Sequence, residues 1–315
     1  MFNHLSRVAV PLLLLPAFAF AAPFAYVGNE KSGSVSIIDL ATDEVVQTLK
    51  TGGAPRAMAA SVDGKIIYIS EQKANALLML DVAKSNIEGK IALGESPEGV
   101  SASADGKWLA VAIEEDNEVI LVDVAAKKRV AEIKTRGKNP EHAVFSPDSR
   151  LIFVSAEESE FVDVIDVGQR KQVAQIKVGK RPRGIAFTPD GKFAYVACEL
   201  ANTVYAIDVA KREVAATIMA GVRSNGVTMR PDGKRVYVSL GGEGAVIEID
   251  TATNTVARRV ATGERPWNMA LTADAKKLYV ANGRSKTVSV IETEGMTKVK
   301  DIAVGELPWG VLIGK

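Results

Sequence analysis

The chain is poor in cysteine, histidine, aromatic residues and net charge. One cysteine in 315 residues excludes an intramolecular disulfide, and two histidines leave little material for a transition-metal site. Lysine and arginine number 39 against 38 acidic residues, and the resulting net charge of +1 argues against a general nucleic-acid binder. Aromatic residues make up only 6%, whereas 26 glycines favour many short strands and turns.

Two motifs that would carry chemistry are also absent from the sequence. It contains no Cys-x-x-Cys-His, which excludes covalent c-type haem, and no Gly-x-Ser-x-Gly turn for a nucleophilic serine. Cys198 ends an apolar run that begins at Phe193, which favours a buried small hydrophobic residue over a reactive thiol. The sequence therefore predicts neither a cofactor nor a metal ion.

Residues 1–21 predict a secretory signal peptide. Arg7 precedes an apolar run from Val8 to Phe20, and Ala19-Phe20-Ala21 supplies a small-x-small cleavage pattern. The run is about 13 residues long, shorter than the roughly 20 of a membrane-spanning helix, which disfavours the alternative of an uncleaved anchor. No later segment approaches 18 uninterrupted apolar residues. We expect cleavage after Ala21, export, and a single domain over residues 22–315 without a membrane span.

A repeat of 42 residues organises the rest of the chain, because three kinds of marker keep one period. An aspartate that closes an apolar run recurs at Asp39, Asp81, Asp123, Asp166, Asp208 and Asp250, with Glu292 in the seventh place. A proline recurs at Pro55, Pro97, Pro140, Pro182, Pro266 and Pro308, with Ser224 in the one missing place. An aspartate followed by a small residue recurs at Asp63, Asp105, Asp148, Asp190, Asp232 and Asp274. The chain is therefore predicted to consist of like units.

Each unit is predicted to contain four strands. Within residues 179–221, the segments 184–187, 193–198, 203–207 and 214–219 read as strands, and the residues from Thr188 to Lys192 form a tight turn. No helical period of ten or more residues intervenes, which excludes a parallel sheet with crossover helices. Four antiparallel strands in a unit of this length are typical of a propeller blade.

The two ends of the chain predict how the ring closes. Residues 24–49 match the second, third and fourth strands of a unit, whereas residues 305–313 match a first strand alone. The C-terminal strand is therefore expected to complete the N-terminal blade and to hide the free sheet edges. The predicted fold is all-β, a seven-bladed β-propeller of four-stranded antiparallel blades. The alternative, an open β-solenoid, would not need a split unit.

Several repeat strings resemble the YVTN family of β-propeller repeats. They are YVGN at 26–29, YVACE at 195–199, YVSL at 237–240 and YVAN at 279–282, with TPDGK and RPDGK turns. The third unit departs from the pattern and carries Trp108-Leu109-Ala110-Val111-Ala112. The chain also resembles a periplasmic branch of that family, which accompanies pyrroloquinoline-quinone (PQQ) dependent alcohol catabolism and ABC-type transport genes. The resemblance implies a periplasmic location and a role accessory to a quinoprotein system.

The segment between the fourth strand of one blade and the first strand of the next is the candidate binding face. The first strand of a propeller blade is innermost, so this segment rims the central channel, and its residues vary where turn chemistry requires no variety. The candidates are Arg56, Glu98, Glu141, His142, Arg181, Arg183, Arg223, Asn225, Arg265, Trp267 and Trp309.

The arginines of this rim from Arg181 to Arg265, with Lys138 and Lys180, predict a basic arc over blades 4 to 7. A basic arc favours a carboxylate, a phosphate or an acidic protein surface as ligand. On this interpretation, replacement of Arg183 is expected to weaken binding and to leave melting nearly unchanged. A merely solvated rim remains the alternative.

Other motifs are interpreted as structural. The repeated aspartates are expected to accept hydrogen bonds from turn N–H groups rather than to bind metal. The acidic segments 114–118 and 157–160 offer oxygen ligands for calcium, but their spacing is not that of an EF-hand, and solvated loops are favoured. Thr262–Trp267 fits the core of the tryptophan-docking motif of eight-bladed quinoprotein dehydrogenases in one blade only, with Arg259 in place of the motif's aspartate. It is not interpreted as a PQQ site.

The sequence favours a non-enzymatic periplasmic binding or scaffold protein. The expected partner is a quinoprotein dehydrogenase, a solute-binding protein or a small anionic ligand. Two alternatives stay open. One is a propeller lactonase-type enzyme, with acid–base chemistry at His142, Glu98 and Glu141 and with Arg183 holding an anion. The other is a cell-surface adhesion module.

Overall fold

A computed structural model describes residues 23–314, which fold into 28 β-strands and contain no helix, hence none that could cross a membrane. The predicted signal peptide lies outside the described residues. The strands are β1 (Phe24–Asn29), β2 (Ser34–Asp39), β3 (Glu44–Lys50), β4 (Pro55–Ala60), β5 (Ile66–Glu71), β6 (Ala76–Asp81), β7 (Asn86–Ala92), β8 (Pro97–Ala102), β9 (Trp108–Ile113), β10 (Glu118–Asp123), β11 (Lys128–Lys134), β12 (Pro140–Phe145), β13 (Leu151–Ala156), β14 (Phe161–Asp166), β15 (Lys171–Lys177), β16 (Pro182–Phe187), β17 (Phe193–Cys198), β18 (Thr203–Asp208), β19 (Glu213–Met219), β20 (Ser224–Met229), β21 (Arg235–Leu240), β22 (Ala245–Asp250), β23 (Thr255–Ala261), β24 (Pro266–Leu271), β25 (Lys277–Asn282), β26 (Thr287–Glu292), β27 (Thr297–Ala303) and β28 (Pro308–Ile313).

The strands form seven four-stranded antiparallel sheets. Blade 1 has the order β28-β1-β2-β3, and blades 2 to 7 each take the next four strands in chain order, from β4–β7 to β24–β27. The C-terminal strand β28 pairs with β1 in a register that sets Ala25 opposite Ile313 and Asn29 opposite Pro308. The predictions of seven blades and of closure by the C-terminal strand are confirmed.

The blades are held together face to face by their middle strands. In β5 every residue after Ile66 is buried, whereas in the outer strand β7 of the same blade exposed residues alternate with partly buried ones and only Ile91 is buried. Each core cluster joins two blades, as where Tyr68 and Leu77 of blade 2 pack with Leu109 of blade 3. Burial of one large apolar side chain is worth about 1.5–3 kcal/mol, so the faces between blades carry much of the stability.

Cys198 and the repeated aspartates have the structural roles that the sequence predicts. Cys198 is fully buried in the cluster between blades 4 and 5, and burial raises the pKa of its thiol to about 12. At the end of the third strand, the Asp208 carboxylate accepts a hydrogen bond from the Lys211 N–H at 2.9 Å. In the turn after a first strand, Asp190 accepts hydrogen bonds from the Thr188 hydroxyl at 2.7 Å and from the Lys192 N–H at 3.1 Å.

Glycines let the innermost strands approach one another around the axis. A Cβ placed on Gly184 would lie 2.7 Å from the Asn225 carbonyl oxygen of the next blade, and one on Gly226 would lie 2.4 Å from the Trp267 carbonyl oxygen. Real Cβ atoms do not come so close to backbone, so a side chain at either position would push neighbouring blades apart. These glycines therefore set the narrow inner diameter on which the site below depends.

Buried tyrosines of the second strands link neighbouring blades. The Tyr195 hydroxyl donates a 2.7 Å hydrogen bond to Asn254, in the turn between the third and fourth strands of the next blade. Across the ring closure, the Tyr279 hydroxyl of blade 7 donates to the Asp43 carboxylate of blade 1, which also pairs with Lys277 at 2.7 Å. Met296 occupies the corresponding position opposite Tyr237, and the Tyr237 hydroxyl has no hydrogen-bond partner among residues 23–314.

We expect Tyr279→Phe to destabilise the protein by about 1–3 kcal/mol, because it removes a buried hydrogen bond to a charged acceptor. Tyr237→Phe is the matched control, since the same atom is removed from an equally buried ring whose hydroxyl makes no hydrogen bond to the turn of the next blade, where Met296 stands. It should leave the free energy of unfolding unchanged or slightly raise it. Urea unfolding of both variants measures the difference. Equal losses would show that the tyrosine hydroxyls do not link the blades.

Candidate functional site

Residues from all seven blades, on loops and at the ends of strands, surround a cavity of about 220 Å³ at one end of the central channel, which we call the channel mouth. It is lined by Glu30, Arg56, Glu114, Glu141, Glu157, Arg181, Arg183, Asn225, Arg265, Trp267 and Trp309. Eight of the eleven candidate residues are in this lining. The other three contact it: Glu98 through Arg56, His142 through Trp309, and Arg223 through a carboxylate that Arg183 shares. The structure thus brings all eleven together.

A second ring of residues at the mouth directly follows the second strand of each blade. Its members are Glu30, Gln72, Glu114, Glu157, Glu199, Gly241 and Gly283. The sequence interpretation omits Glu30 and Glu199 and treats Glu114 and Glu157 as parts of solvated loops, and the structure corrects both points. The sequence does contain a signal for this ring. The residue directly after each second strand recurs with the 42-residue period, and in five of the seven blades it has an acidic or amide side chain.

Glu199 is the centre of one ion-pair network. Its carboxylate is 0% exposed and lies 3.0 Å from Arg183 Nε and 2.7 Å from Arg265 Nη2. Arg181 and Arg223 approach it at 3.4 and 3.5 Å. Burial alone would raise the pKa of Glu199, but the arginines, with Arg183 foremost, hold it below its usual value. One carboxylate therefore ties together arginines from blades 5, 6 and 7.

Arg56 is the centre of a second network, on the side of blades 1 to 3. It pairs with the fully buried Glu98 and lies 3.3 Å from Glu30. Gln72 donates a 2.6 Å hydrogen bond to the other oxygen of Glu98. Burial raises the pKa of Glu98 well above its usual value, and the nearby Glu141 adds to the effect against the opposing charge of Arg56.

These pairs change the interpretation of the basic arc. Arg183 is only 12% exposed and lies 2.6 Å from Glu141, 2.9 Å from Glu157 and 3.0 Å from Glu199. Its charge is therefore neutralised within the fold. Removal of Arg183 would leave three carboxylates close together without their shared cation, which contradicts the expectation that its replacement leaves melting nearly unchanged.

The acidic segments also make specific contacts. Glu118 pairs with Lys134 at 2.8 Å, and Asp116 accepts a hydrogen bond from the Glu95 N–H at 2.8 Å. Over residues 23–314, no group of three or more histidine, cysteine or acidic side chains is placed to hold a metal ion.

Glu141 and Glu157 form a carboxyl pair whose two members differ in pKa. The two carboxyls are in contact, and both face Arg183. Burial raises the pKa of Glu157 to about 7, with Glu141 adding to the rise and Arg183 and Arg181 opposing it. Burial acts on Glu141 as well, but Arg183, His142 and Arg56 together lower its pKa to about 2. Glu157 is therefore the carboxyl of the pair that titrates in the neutral range.

We expect Glu157→Gln to gain stability relative to the wild type as the pH rises from 5 to 8. A raised pKa means that the folded state binds the Glu157 proton more tightly than the unfolded state, so this contribution is complete below about pH 4.5 and disappears as the pH passes 7. Glutamine does not titrate. The difference in unfolding free energy between variant and wild type should change by roughly 1–3 kcal/mol over this range.

Urea unfolding at pH 5 and pH 8 measures that change. Glu158→Gln, at the exposed neighbouring residue, is the control and should show the same pH profile as the wild type. The lowered pKa of the buried His142 acts in the opposite direction, but it is present in all three proteins and cancels in the comparison. Parallel profiles for Glu157→Gln and the wild type would contradict the raised pKa of Glu157.

Two tryptophans, Trp267 and Trp309, also line the mouth. The Trp309 ring lies 5.5 Å from the His142 ring, and the Arg56 guanidinium lies 5.9 Å from its centre. The Nε2 atom of His142 is buried and has no hydrogen-bond partner among residues 23–314. The Arg265 guanidinium lies 5.9 Å from the centre of the Trp267 ring. The same ring packs on Gly283, where an added Cβ would come within 2.6 Å of the indole. Glycine at this position of the second ring therefore makes room for the tryptophan.

The arrangement is a rigid polar cup with an indole wall. Its arginines and glutamates hold one another in place, so a ligand meets preformed donors and acceptors rather than flexible side chains. Arg183, Glu157 and Trp267 all line this cavity. Such a cup suits recognition of a group that combines a polar end with an apolar or planar face.

Comparison with known proteins agrees with the fold. A family model described as a lactonase-type seven-bladed β-propeller matches residues 165–302, and one described as a YNCE-like β-propeller matches residues 21–107. The uncharacterized protein YncE of Salmonella typhimurium is 38% identical over 65 residues, and that of Salmonella typhi is 37% identical over 65 residues. Each match covers 21% of this chain and spans only 18% of the length of the curated relative.

Solved structures with less than 25% identity share the fold. The chain is similar to Kuenenia stuttgartiensis hydrazine synthase, with a TM-score of 0.77, 24% identity, and coverage of 85% of this chain and 92% of that one. A functionally unknown protein from Desulfotomaculum acetoxidans gives a TM-score of 0.80 at 18% identity, with 92% and 98% coverage. The dihydro-heme d1 dehydrogenase NirN gives a TM-score of 0.71 at 16% identity, with coverage of 96% of this chain and 78% of that one. The two partial family matches and the repeat motifs agree on a β-propeller, and each family match covers less than half of the chain.

Proposed function

We propose that the chain is a non-enzymatic binding protein of the periplasm whose channel mouth receives a partner protein, in a role accessory to quinoprotein alcohol oxidation or the associated uptake system. The observation that carries the proposal is the mouth itself, where buried arginines and glutamates fix one another around an open cavity. Buried ion pairs are a weak source of stability, so the concentration of such pairs around this cavity supports a binding role.

The same contacts favour binding over catalysis. Arg183 and Arg265 are engaged by carboxylates, and Glu98 is fully buried behind Arg56. Burial lowers the pKa of His142, which leaves a neutral imidazole packed against Trp309 rather than a base in contact with the cavity. The link to a quinoprotein system is supported only by the resemblance of the repeats to the periplasmic branch described above.

Recovery of a partner from the source organism's periplasmic extract tests the proposal. Wild type, Trp267→Ala and Trp108→Ala would be immobilised, and bound proteins identified by mass spectrometry. Trp108 is the matched control, because it is also half-buried but lies outside the mouth, at the start of β9. We expect a quinoprotein dehydrogenase or a solute-binding protein to bind wild type and Trp108→Ala but not Trp267→Ala. Equal recovery by all three proteins, or by none, would overturn the proposal.

A lactonase-type hydrolase is the second candidate, favoured by the family match over residues 165–302 and by the pKa of Glu157 near 7. A carboxyl that is half-protonated at neutral pH suits general acid–base work. The match begins after Glu98, Glu141 and Glu157, however, and includes Arg183 alone of that constellation. Turnover of a lactone panel that is lost in Glu157→Gln would establish the enzyme. Absence of turnover above the uncatalysed rate would leave the binding role.

A further inference from the structure

The ion pair between Glu157 and Arg181 lies between two spaces on the face that carries the channel mouth. Both residues line the mouth cavity of about 220 Å³, and both also line a groove of about 500 Å³ over blades 4 and 5, which we call the blade 4–5 groove. The Arg181 side chain is 35% exposed and the Glu157 side chain is 11% exposed. The contact between these two side chains is therefore the place where the cavity and the groove meet.

Glu157 holds its carboxylate between two guanidinium groups. One of its oxygens pairs with Arg181, and the other lies 2.9 Å from Arg183 Nη1. Arg181 Nε lies 3.4 Å from Glu199, but it is buried and makes no hydrogen bond within residues 23–314. Because buried donors without an acceptor are rare in folded proteins, this arginine has capacity for a further oxygen ligand. The position is thus built for a carboxylate, and Arg181 is not saturated by the carboxylates it has.

The charges around Glu157 are of both signs, and they come from every segment packed against it. The acidic groups are Glu141 on β12, Glu199 after β17, and Glu158 and Glu160 on the loop of Glu157 itself; the basic groups are Lys138 before β12, Lys180 and Arg181 before β16, and Arg183 on β16; Arg56 and His142 act on the neighbouring Glu141. An additional anion beside the arginines would face these carboxylates, and like charges at close range are unfavourable. A carboxylate ligand therefore fits only when one of the glutamates is neutral.

Glu157 is the glutamate of this group that loses its charge in the neutral range. Burial raises its pKa to about 7, whereas arginines hold the pKa of Glu199 below its usual value and lower that of Glu141 to about 2. Glu199 also lies 2.7 Å from Arg265, which lines both the mouth cavity and a second groove of about 470 Å³. That second junction therefore keeps its ion pair in the pH range where the pair of Glu157 with Arg181 weakens.

We propose that the mouth cavity and the blade 4–5 groove form one binding site for a carboxylate group, which takes the place of Glu157 between Arg181 and Arg183 when Glu157 binds a proton from solvent. The inference rests on the proposed binding role of the mouth and names the chemical group that the mouth recognises. Guanidinium–carboxylate contacts are among the strongest hydrogen bonds in proteins. The carboxylate belongs either to a small acid or to an acidic side chain of the partner protein, and the two sources are tested separately.

Binding of the carboxylate should weaken as the pH rises. At pH 6 Glu157 is largely protonated, whereas at pH 8 it is ionised and must take up one proton for each carboxylate that binds. Carboxylic acids are themselves ionised at both pH values. The dissociation constant should therefore be about tenfold higher at pH 8 than at pH 6.

Isothermal titration calorimetry with three acidic probes measures this effect. The probes are benzoate, glutarate and a capped Ala-Glu-Ala peptide, and their neutral counterparts are benzamide, glutaramide and capped Ala-Gln-Ala. Titrations in two buffers with different heats of ionisation give the number of protons taken up, which should be close to one at pH 8 and close to zero at pH 6. Binding of the small acids alone would assign the site to small molecules, and binding of the peptide alone would assign it to a side chain of the partner. Equal binding by the neutral counterparts would overturn the proposal.

Three variants locate the effect. Glu157→Gln carries a permanently neutral group and should bind the acidic probes at pH 8 as tightly as the wild type does at pH 6, without proton uptake. Arg181→Gln should bind them at least tenfold more weakly at both pH values. Glu115→Gln is the matched control, at an exposed residue in the corresponding loop of blade 3, and should show the wild-type pH dependence. Thermal melting of each variant checks that it is folded.

Several results would contradict the inference. They are equal affinity of the wild type at pH 6 and pH 8, binding without proton uptake at pH 8, and wild-type pH dependence in Glu157→Gln. Recovery of a partner that depends on Trp267, together with no binding of any acidic probe, would overturn this inference alone and leave the proposed function intact. Proton-linked binding of a small acid without recovery of any partner protein would overturn the proposed function alone.

Discussion

Removal of residues 306–315 is expected to abolish folding into a closed ring. The deletion takes away β28, which pairs with β1 and supplies the innermost strand of blade 1. Trp309 is 6% exposed, and Val311 and Ile313 pack on the core cluster between blades 7 and 1. The lost apolar burial is worth on the order of 5 kcal/mol or more at about 1.5–3 kcal/mol for each large side chain. Domains of this kind are stable by only about 5–15 kcal/mol.

The exposed edge makes the effect larger than the lost burial. Without β28, the inner edge of β1 presents unpaired N–H and C=O groups to solvent and to other chains. We therefore expect aggregation on expression, or, where soluble protein is recovered, loss of the cooperative unfolding transition. Size-exclusion chromatography and thermal melting of the truncated and full-length proteins measure this.

A circularly permuted variant is the control that distinguishes loss of the β28–β1 pairing from the mere shortening of the chain. In that variant residues 306–313 are moved through a short glycine linker to the position before Pro23, so that the same strand can pair with β1 from the other end of the chain. It should recover a cooperative transition, because the pairing of β28 with β1 does not depend on which terminus supplies the strand. A truncated protein that melts like the full chain would show that the ring does not need this strand.

The architecture is predictable from the sequence because the turns and strands of each unit depend on interactions between residues that are close in the sequence. Turn aspartates such as Asp190 accept hydrogen bonds from residues only two positions away, so each turn is determined by its own short segment. Because the segment recurs with the repeat, the same turn forms in blade after blade. The composition of blade 1 from residues 24–49 and 305–313 is also predictable, because the first segment holds three strands of a unit and the second holds the missing one. The positions of the rim candidates around the channel are predictable for the same reason.

The ion pairs of the mouth are not predictable in this way, because they join residues that are far apart in the sequence. Arg265 reaches Glu199 across 66 positions of the chain, and the repeat does not reveal which side chains meet across the axis. Treated one by one, the arginines predict a basic arc. In the structure the arginines pair with carboxylates that follow the second strands, so most of their charge is neutralised. These pairs form because the inner diameter of the ring is narrow, which depends on residues such as Gly226.

Replacement of Glu199 by alanine is expected to be among the most destabilising single changes in the mouth. The variant removes the one carboxylate that approaches four arginines, and three of these, Arg181, Arg183 and Arg265, are no more than 35% exposed. Removal of one partner from a buried ion pair typically costs about 3–5 kcal/mol, because the remaining charge is left desolvated and unpaired. Glu141 and Glu157 still face Arg183 and limit the loss on that side.

Glu114→Ala is the matched control for this prediction. Glu114 occupies the same position after the second strand of blade 3, but its partners are neutral, the Ser96 hydroxyl at 2.9 Å and the Asn139 amide at 3.5 Å. Its loss should cost about 1 kcal/mol, as for an ordinary hydrogen bond. Denaturant unfolding of the two variants measures the difference. Acetate should restore part of the stability of Glu199→Ala, since a carboxylate can re-enter among the arginines, and should not affect Glu114→Ala. Equal losses without acetate rescue would mean that the arginines are solvated and that the mouth is not a fixed ion-pair network.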